Sequence, residues 1–331
     1  MKKVKILVTG GFGNIGLLVV EECMKRGHGI TVFDVPSKRN ARFYKKFTAK
    51  GARVVIGDIR KYEEIKNAAL DQDAVIHMAA ILPPISEEYP ELCKAVNVEG
   101  TANLLRALQE SKAGTAFIEV SSASVMGHTQ DKKPPVQADA PLSASDVYSS
   151  TKIEAESLLK ESGLPFCILR LSAVIPTIIN MASLLSMVKL LFDMPLAARC
   201  EIVFDIDVAY ALVSAAENAA KSQEMLGLKG FIAGGRDKGC QTTVRELIRS
   251  LFEPLGLEVP REALFPADCN SYYLDWYNTK NTQDILGYQR HTIEDWLFLI
   301  QKKYRLFLPL IPLIKGPLKK WLERKSPRLN D

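Results

Sequence analysis

The sequence predicts a doubly wound α/β sheet of parallel strands with a smaller lobe toward the C-terminus. Three observations predict it. Short apolar runs alternate with helical stretches from residue 4 to about 170, a glycine-rich turn joins the first run to the first helix, and the alternation loosens beyond about residue 171. Apolar runs without polar alternation suit strands covered by helices on both faces. The 331 residues, 47% hydrophobic and 24% charged, fit one large α/β domain with a smaller one attached.

Val4 to Thr9 is the first such run. Gly10-Gly11-Phe12-Gly13-Asn14-Ile15-Gly16 follows, containing G-x-G-x-x-G, and Leu17 to Arg26 continues as a helix. In that order the three make a phosphate-binding unit: small residues let the backbone approach a pyrophosphate, and the helix N-terminus offers free N–H groups. Gly10, Gly13, Asn14, Ile15 and Gly16 are therefore candidate cofactor contacts. Ile30 to Phe33 is the second strand and ends in Asp34. A carboxylate there suits ribose hydroxyls and repels a 2′-phosphate, which favours NAD over NADP; Arg39, close by, weakens the preference. Val54 to Ile56 leads into Gly57-Asp58-Ile59-Arg60, with Asp58 placed for an adenine amino group. Ala74 to His77 leads into Met78-Ala79-Ala80, whose small residues let a cofactor lie against the backbone. His77 reads as a structural or cofactor-wall residue.

Glu87 to Lys112 reads as one long helix containing Asn97 and Gly100. Ala116 to Val120 is the fifth strand, closed by Ser121-Ser122-Ala123-Ser124, and residues 127–146 read as a loop. The helix after it carries Tyr148 and Lys152, four apart and so on one face. A tyrosine hydroxyl titrates near 10, too high for a base at neutral pH, and an ammonium beside it favours the phenolate. Tyr148 is then the candidate general acid/base toward a hydroxyl or carbonyl, Lys152 its electrostatic partner, and Ser122 a hydrogen-bonding group for the same oxygen. Phe166 to Leu169 is the sixth strand, ending at Arg170.

Residues 174–204 are apolar, with only Lys189 and Asp193 charged between 174 and 198. The stretch reads either as the lining of a pocket for a hydrophobic alcohol or ketone, or as lobe core or a dimer helix pair. A diphosphate would call for cations, for which Arg199 and Arg236 are candidates. Asp205 and Asp207 precede a helix from Val208 to Ala220. A short strand at Phe231, a helix over 242–255, and the segments Trp276–Gly287 and Thr292–Tyr304 complete the lobe. The expected division is a nucleotide-binding domain with the catalytic residues over 1–175, a mainly substrate-binding lobe with returns to the sheet over 176–301, and a tail over 302–331.

Six cysteines and four histidines are scattered without C-x-x-C spacing, so neither a metal site nor a disulfide framework is expected, and a reducing, cytoplasmic setting is. The basic start runs straight into a strand and the glycines, so no signal peptide is expected. Of the net charge of +5, residues 302–331 hold +7, leaving −2 for the rest. The basic character therefore belongs to the tail and does not indicate a nucleic-acid partner. Leu306 to Ile314 is apolar but interrupted by two prolines, and much shorter than the ~20 residues of a membrane span. With basic residues on both sides, residues 302–328 suit peripheral contact with an anionic membrane, such as the inner membrane surface; the alternative is a tail packed on its own lobe.

Taken together these motifs resemble the extended short-chain dehydrogenase/reductase family, in its NAD-dependent epimerase/dehydratase branch, over roughly residues 4–300. Thr9 to Gly16 resembles the family's T-G-G-x-G-x-x-G, Asp58-Ile59-Arg60 its adenine-side motif, and His77-Met78-Ala79-Ala80 its H-x-A-A. Asn97 resembles its structural asparagine, Ser121 to Gly127 its S-S-x-x-V-Y-G, Tyr148 and Lys152 its Y-x-x-x-K, and Asp207-Val208-Ala209 its D-V-A. The resemblance implies a Rossmann-type fold, bound NAD along Gly10–Gly16, Asp34, Asp58, Ile59, Met78–Ala80 and Asn97, and a Lys152 that holds the nicotinamide ribose. It also implies a homodimer through the helices at 87–112 and 146–163.

The departures bear on the substrate. Ala173 stands where the family often has an asparagine for a sugar nucleotide's diphosphate, and Met126 replaces the tyrosine of V-Y-G. Ala123 and Ser124 replace the Asp-Glu pair used by 4,6-dehydratases for water elimination. The expected activity is NAD-dependent hydride transfer between nicotinamide and a secondary alcohol or ketone of a small molecule. It would run either as a sugar-nucleotide epimerase with internally recycled NAD or as a dehydrogenase or ketoreductase of a lipid- or steroid-like substrate. The intact Ser122, Tyr148 and Lys152 argue against a non-catalytic NAD-sensing protein.

Overall fold

The computed structural model describes residues 3–111, 114–178, 190–221, 225–253, 256–306 and 311–328. Ten strands lie among them: β1 (Lys5–Thr9), β2 (Gly29–Asp34), β3 (Arg53–Ile56), β4 (Ala74–His77), β5 (Ala116–Ser122), β6 (Phe166–Leu171), β7 (Ala173–Ile175), β8 (Arg199–Phe204), β9 (Lys229–Ile232) and β10 (Gln241–Thr243). Seven form one sheet in the order β3-β2-β1-β4-β5-β6-β9, every neighbouring pair parallel. The chain order reverses direction between β1 and β4, the switch point where open α/β sheets bind ligands at their carboxyl ends.

The continuous apolar run of β1 follows from burial on both faces. Ile6 and Val8 pack with α1 (Asn14–Lys25) and α8 (Asp205–Ala219) on one side. Leu7 packs on the other with Phe33, Val75, Phe117 and Ile168, beneath α3 (Tyr62–Ala69), α6 (Gly100–Ser111) and α7 (Val147–Glu161). The α7 N-terminus is set by a capping box: Asp146 accepts from the Ser149 amide at 2.6 Å, and Ser149 Oγ accepts from the Asp146 amide.

The long helix expected from Glu87 is broken. It resolves into α4 (Ile85–Glu88), α5 (Pro90–Lys94), a π-turn over Ala95–Glu99, and α6. Tyr89 at φ −133°, ψ 69° makes the first break, because the residue before a proline is excluded from the helical region. Asp205 and Asp207, expected ahead of the next helix, lie in its first turn, where acids meet the positive end of the helix dipole.

The smaller sheet has the order β10-β8-β7. Around it Leu191, Phe192, Met194, Leu196, Ala198 and Ile202 pack against α9 (Val244–Phe252) and Trp296 of α11 (Ile293–Tyr304), which follows α10 (Lys280–Leu286). Much of the apolar stretch from 191 to 204 thus contributes to the lobe core, while residues 179–189 lie outside the described residues. The tail also folds back. In α12 (Ile311–Glu323), Leu322 is buried and Leu318 packs on the same cluster, and Ser326 Oγ donates to Leu264 O at 2.7 Å. Residues 307–310 of the expected membrane segment lie outside the described residues.

Candidate active site

The glycine turn after β1 is tight enough to require its glycines. A Cβ on Gly16 would lie 2.3 Å from Gly10 O, and one on Gly10, already at φ +67°, 2.9 Å from the Ala79 amide nitrogen. Gly13 and Asn14 are exposed, and no side chain caps α1 and no acid sits in its first turn. The first-turn N–H groups are open to an anion. Asp34 lies beside them, its carboxylate accepting from the Phe12 amide at 2.7 Å, the Val35 amide at 2.8 Å and Asn40 Nδ2 at 3.2 Å. Oδ2 takes one of these bonds and retains a lone pair for a hydroxyl. Burial raises the Asp34 pKa above the usual carboxylate value, and the hydrogen bonds offset part of the rise. Arg39 Nη2 donates to Asn14 Oδ1 at 3.1 Å, so a cation does reach the phosphate end of the turn. Backbone cradle, uncapped helix and ribose-side acid together fit a dinucleotide.

On the adenine side the structure modifies two expectations. The Asp58 carboxylate is gripped by the Arg60 guanidinium and amide, which holds its pKa below the usual range. The Ile59 side chain is buried beneath Gly100, where a Cβ would lie 2.6 Å away, leaving its backbone as the part a ligand could touch.

A buried network shapes the wall beyond β4. His77 sits between Thr9 Oγ1 at 2.7 Å and Thr101 Oγ1 at 2.9 Å. Thr101 gives its proton to Asn97 O, so His77 must donate from Nε2 and accept at Nδ1. Burial presses the imidazole down to about 4, so it is neutral. Thr9 Oγ1 in turn accepts from the Met78 and Ala79 amides, fixing the half-exposed run Met78-Ala79-Ala80. Asn97, expected to contact the cofactor, has its amide hydrogen-bonded within the protein. It is buried, accepting from the Ile81 amide at 2.7 Å and donating to Ile81 O and to Thr151 Oγ1 of the catalytic helix. It sits in the π-turn, a distortion that often accompanies functional sites.

Ser122 closes β5 and Tyr148 lies in the first turn of α7, close enough for the Ser122 hydroxyl to favour the ionised phenol. Ser122 Oγ accepts from Ser124 N at 3.1 Å and Ser124 Oγ at 2.9 Å, which leaves its proton to donate outward. Ser124 is a site residue that the sequence reading treats only as the place of a missing acid. The expected depression of the Tyr148 pKa is reversed. Burial chiefly pushes the phenol well above its ordinary value; Tyr273 and Glu119 push the same way, and the Ser122 hydroxyl pulls against them. Lys152 does not offset this because it is buried in an ion pair with Glu119 of β5.

The lobe side contributes Tyr272 and Tyr273, stacked with ring centroids 4.7 Å apart, neither of which carries a sequence signature. Arg199, a candidate cation for a diphosphate, is taken by Asp275 at 2.6 Å, with Thr129 Oγ1 bonded to the same acid. Ala173 is half-buried in β7. Among the described residues no group of three or more His, Cys, Asp or Glu is arranged to hold a metal ion.

Residues 6–184 match the model of the NAD dependent epimerase/dehydratase family. A 3-beta-hydroxysteroid dehydrogenase of Mycolicibacterium neoaurum is 34% identical over 51% of this chain and 47% of its own length. The UDP-glucose 4-epimerase 3 of Oryza sativa subsp. japonica is 32% identical over 47% and 44%. The chain spans about half the length of the curated relatives it matches. Among solved structures, a UDP-glucose-4-epimerase of Stenotrophomonas maltophila with bound NAD and formylated UDP-arabinopyranose superposes with a TM-score of 0.73, covering 93% of this chain and 99% of that one at 23% identity. That likeness extends the shared fold through the smaller lobe.

Proposed function

Because the chain belongs to the NAD-dependent epimerase/dehydratase family, we propose that it transfers hydride between NAD and a secondary alcohol or ketone, with Tyr148 as the general acid/base. The observation that carries this reading is the placement of Ser122, at the end of β5, and Tyr148, in the first turn of α7, at the carboxyl edge of the sheet, two strands from the glycine turn. Gly10, Gly13, Asn14, Ile15 and Gly16 would hold the pyrophosphate, Asp34 the adenosine ribose, Asp58 and the Ile59 backbone the adenine side, Met78–Ala80 the wall, and Lys152 the nicotinamide ribose. NAD when bound supplies the hydride acceptor or donor. Tyr148 takes the proton of the substrate hydroxyl as the alcohol is oxidised, or returns it to the carbonyl oxygen, and Ser122 donates a hydrogen bond to that oxygen. Tyr148→Phe is expected to abolish turnover while NAD still binds; near-wild-type turnover would sink the assignment.

The 176–301 lobe supplies the substrate side in this reading, over the stacked Tyr272 and Tyr273. With Arg199 committed to Asp275 and Ala173 in place of the family's asparagine, an apolar alcohol or ketone is favoured over a diphosphate. The similarity to UDP-glucose 4-epimerases carries the second reading, an epimerase that keeps its nicotinamide. Purification without added cofactor, denaturation and mass spectrometry of the released nucleotide separates the two. Near-stoichiometric NAD supports the epimerase, an empty protein that binds NAD reversibly supports the dehydrogenase, and NADP overturns the role given to Asp34.

Two further readings concern partners. A homodimer through the helices at 87–112 and 146–163 predicts twice the chain mass in light scattering. Peripheral membrane contact through residues 302–328 is supported by Leu306, 77% exposed beside Lys302 and Arg305, and by Phe298 and Leu299, 62% and 43% exposed just before them. Among the described residues no helix is long and apolar enough to cross a membrane. Equal sedimentation with phosphatidylglycerol and phosphatidylcholine vesicles would rule this contact out.

A further inference from the structure

Glu119 is fully buried in the middle of β5, flanked in register by His77 of β4 and Ile168 of β6. Its Oε1 receives Lys152 Nζ, and the lysine is itself 3% exposed. Its Oε2 has no hydrogen-bond partner among the described residues. A carboxylate at this depth costs several kcal/mol of lost hydration, which a single ion pair repays only in part. Hydrophobic packing would serve the strand better, as Ile118 and Phe117 do one and two positions earlier. The acid therefore does something other than stabilise the sheet.

Its effect is on charge. Lys152 alone would set a full positive charge in a dry site beside Tyr148, whereas with Glu119 the pair sums to zero. The nicotinamide ring is cationic when oxidised and neutral when reduced, so a bare ammonium nearby disfavours the oxidised form and a cancelled one does not. We propose that Glu119 is a positioning residue that holds Lys152 beside Tyr148 and, by cancelling its charge, tunes the site toward the oxidised cofactor. The inference rests on the cofactor reading above. It agrees with the upward push that Glu119 exerts on the Tyr148 phenol.

The test needs no substrate. NAD+ and NADH are titrated into the full chain by quenching of its tryptophan fluorescence, and the ratio of the two dissociation constants is compared across variants. Glu119→Gln keeps the size and an acceptor for Lys152 but removes the charge. It is expected to move the ratio toward NADH by about five-fold or more, the order expected for one uncancelled charge at partly screened range. A purely structural role would weaken both forms alike, and a ratio within two-fold of wild type overturns the proposal. Should Glu119→Gln not fold, both charges are removed together: because the wild-type pair sums to zero, the ratio in Glu119→Gln/Lys152→Met should stay within two-fold of wild type, and a larger shift in either direction overturns the proposal. If the wild-type chain binds neither nucleotide, the cofactor reading fails and takes this one with it; binding with an invariant ratio sinks Glu119 alone.

Discussion

Arg170 of β6 and Glu156 of α7 form a two-pronged ion pair in the interior, with Nε to Oε1 at 2.9 Å and Nη2 to Oε2 at 2.8 Å. Glu156 is two helical turns beyond Tyr148 and one beyond Lys152, so the pair pins the face that carries both. Burial raises the Glu156 pKa, but the hydrogen bonds and charge of Arg170, with Ser121 and Lys160, together outweigh it and hold the carboxyl below its ordinary value. Ser121 Oγ donates to the same acid at 2.7 Å, which ties the end of β5 into the arrangement.

Arg170→Met is therefore expected to lose about 3 kcal/mol, because it leaves a buried carboxylate with only the Ser121 hydroxyl and the more distant, partly exposed Lys160 as partners. Arg170→Met combined with Glu156→Met should recover a large part of that loss. Urea unfolding of the three proteins checks it, and a double variant no more stable than the single one would contradict the account.

The glycine turn offers a paired comparison. A Cβ at Gly16 would meet Gly10 O at 2.3 Å and Gly11 backbone at 2.8 Å, so the turn itself would have to move. Gly27, at φ +77°, has nothing within 4 Å of its Cβ position. Gly27→Ala should cost about 1 kcal/mol through backbone strain alone and leave nucleotide binding intact. Gly16→Ala should abolish NAD binding in the same fluorescence titration.

Ser124 acts through Ser122. Its amide and hydroxyl occupy the Ser122 oxygen's acceptor positions and leave the Ser122 proton free to donate elsewhere. Ser124→Ala removes one of the two bonds, and turnover should fall about ten-fold with KM little changed, less than the 10²–10⁴-fold typical of losing a general acid/base. Steady-state kinetics beside Ser122→Ala and Tyr148→Phe would order the three, and a Ser124→Ala loss as deep as that of Tyr148→Phe would give Ser124 a more direct role.

The parts of this site that were legible in the sequence are those whose chemistry is local. The glycine turn, Asp34, and the helical spacing of Tyr148 and Lys152 are each set within a few residues, and the apolar runs announce strands buried on both faces. What stayed hidden depends on partners distant in the chain. Glu119 lies 33 residues from Lys152, Arg199 lies 76 from Asp275, and Tyr273 reaches Tyr148 only through the lobe. The break at Tyr89 was written in Pro90 but was outweighed by the helical character of the residues on either side. Asn97 shows the converse, a polar residue whose amide is spent inside the protein.

Two buried groups give stability opposite pH dependences. Glu201, fully buried in β8, is raised to about 7, chiefly by burial, although the Tyr277 and Gly235 amides and Gln241 donate to it. Its folded pKa lies above its unfolded value, so the folded protein holds a proton that the unfolded chain releases. Its contribution falls as pH rises between the ordinary carboxylate value and about 7, by at most about 3 kcal/mol. His77 runs the other way. Its folded value of about 4 lies below the ordinary one, so the unfolded chain takes up a proton first and stability falls as pH drops from about 6.5 toward 4. Relative to wild type, Glu201→Gln should gain melting temperature as pH rises from about 4.5 to 7, and His77→Gln should gain it as pH falls below about 6.5. Melting temperatures across that range, taken as differences from wild type, decide it. A flat difference for either variant removes that residue from the account, and opposite slopes mean that the two groups offset one another in the wild-type protein between about pH 4.5 and 6.5.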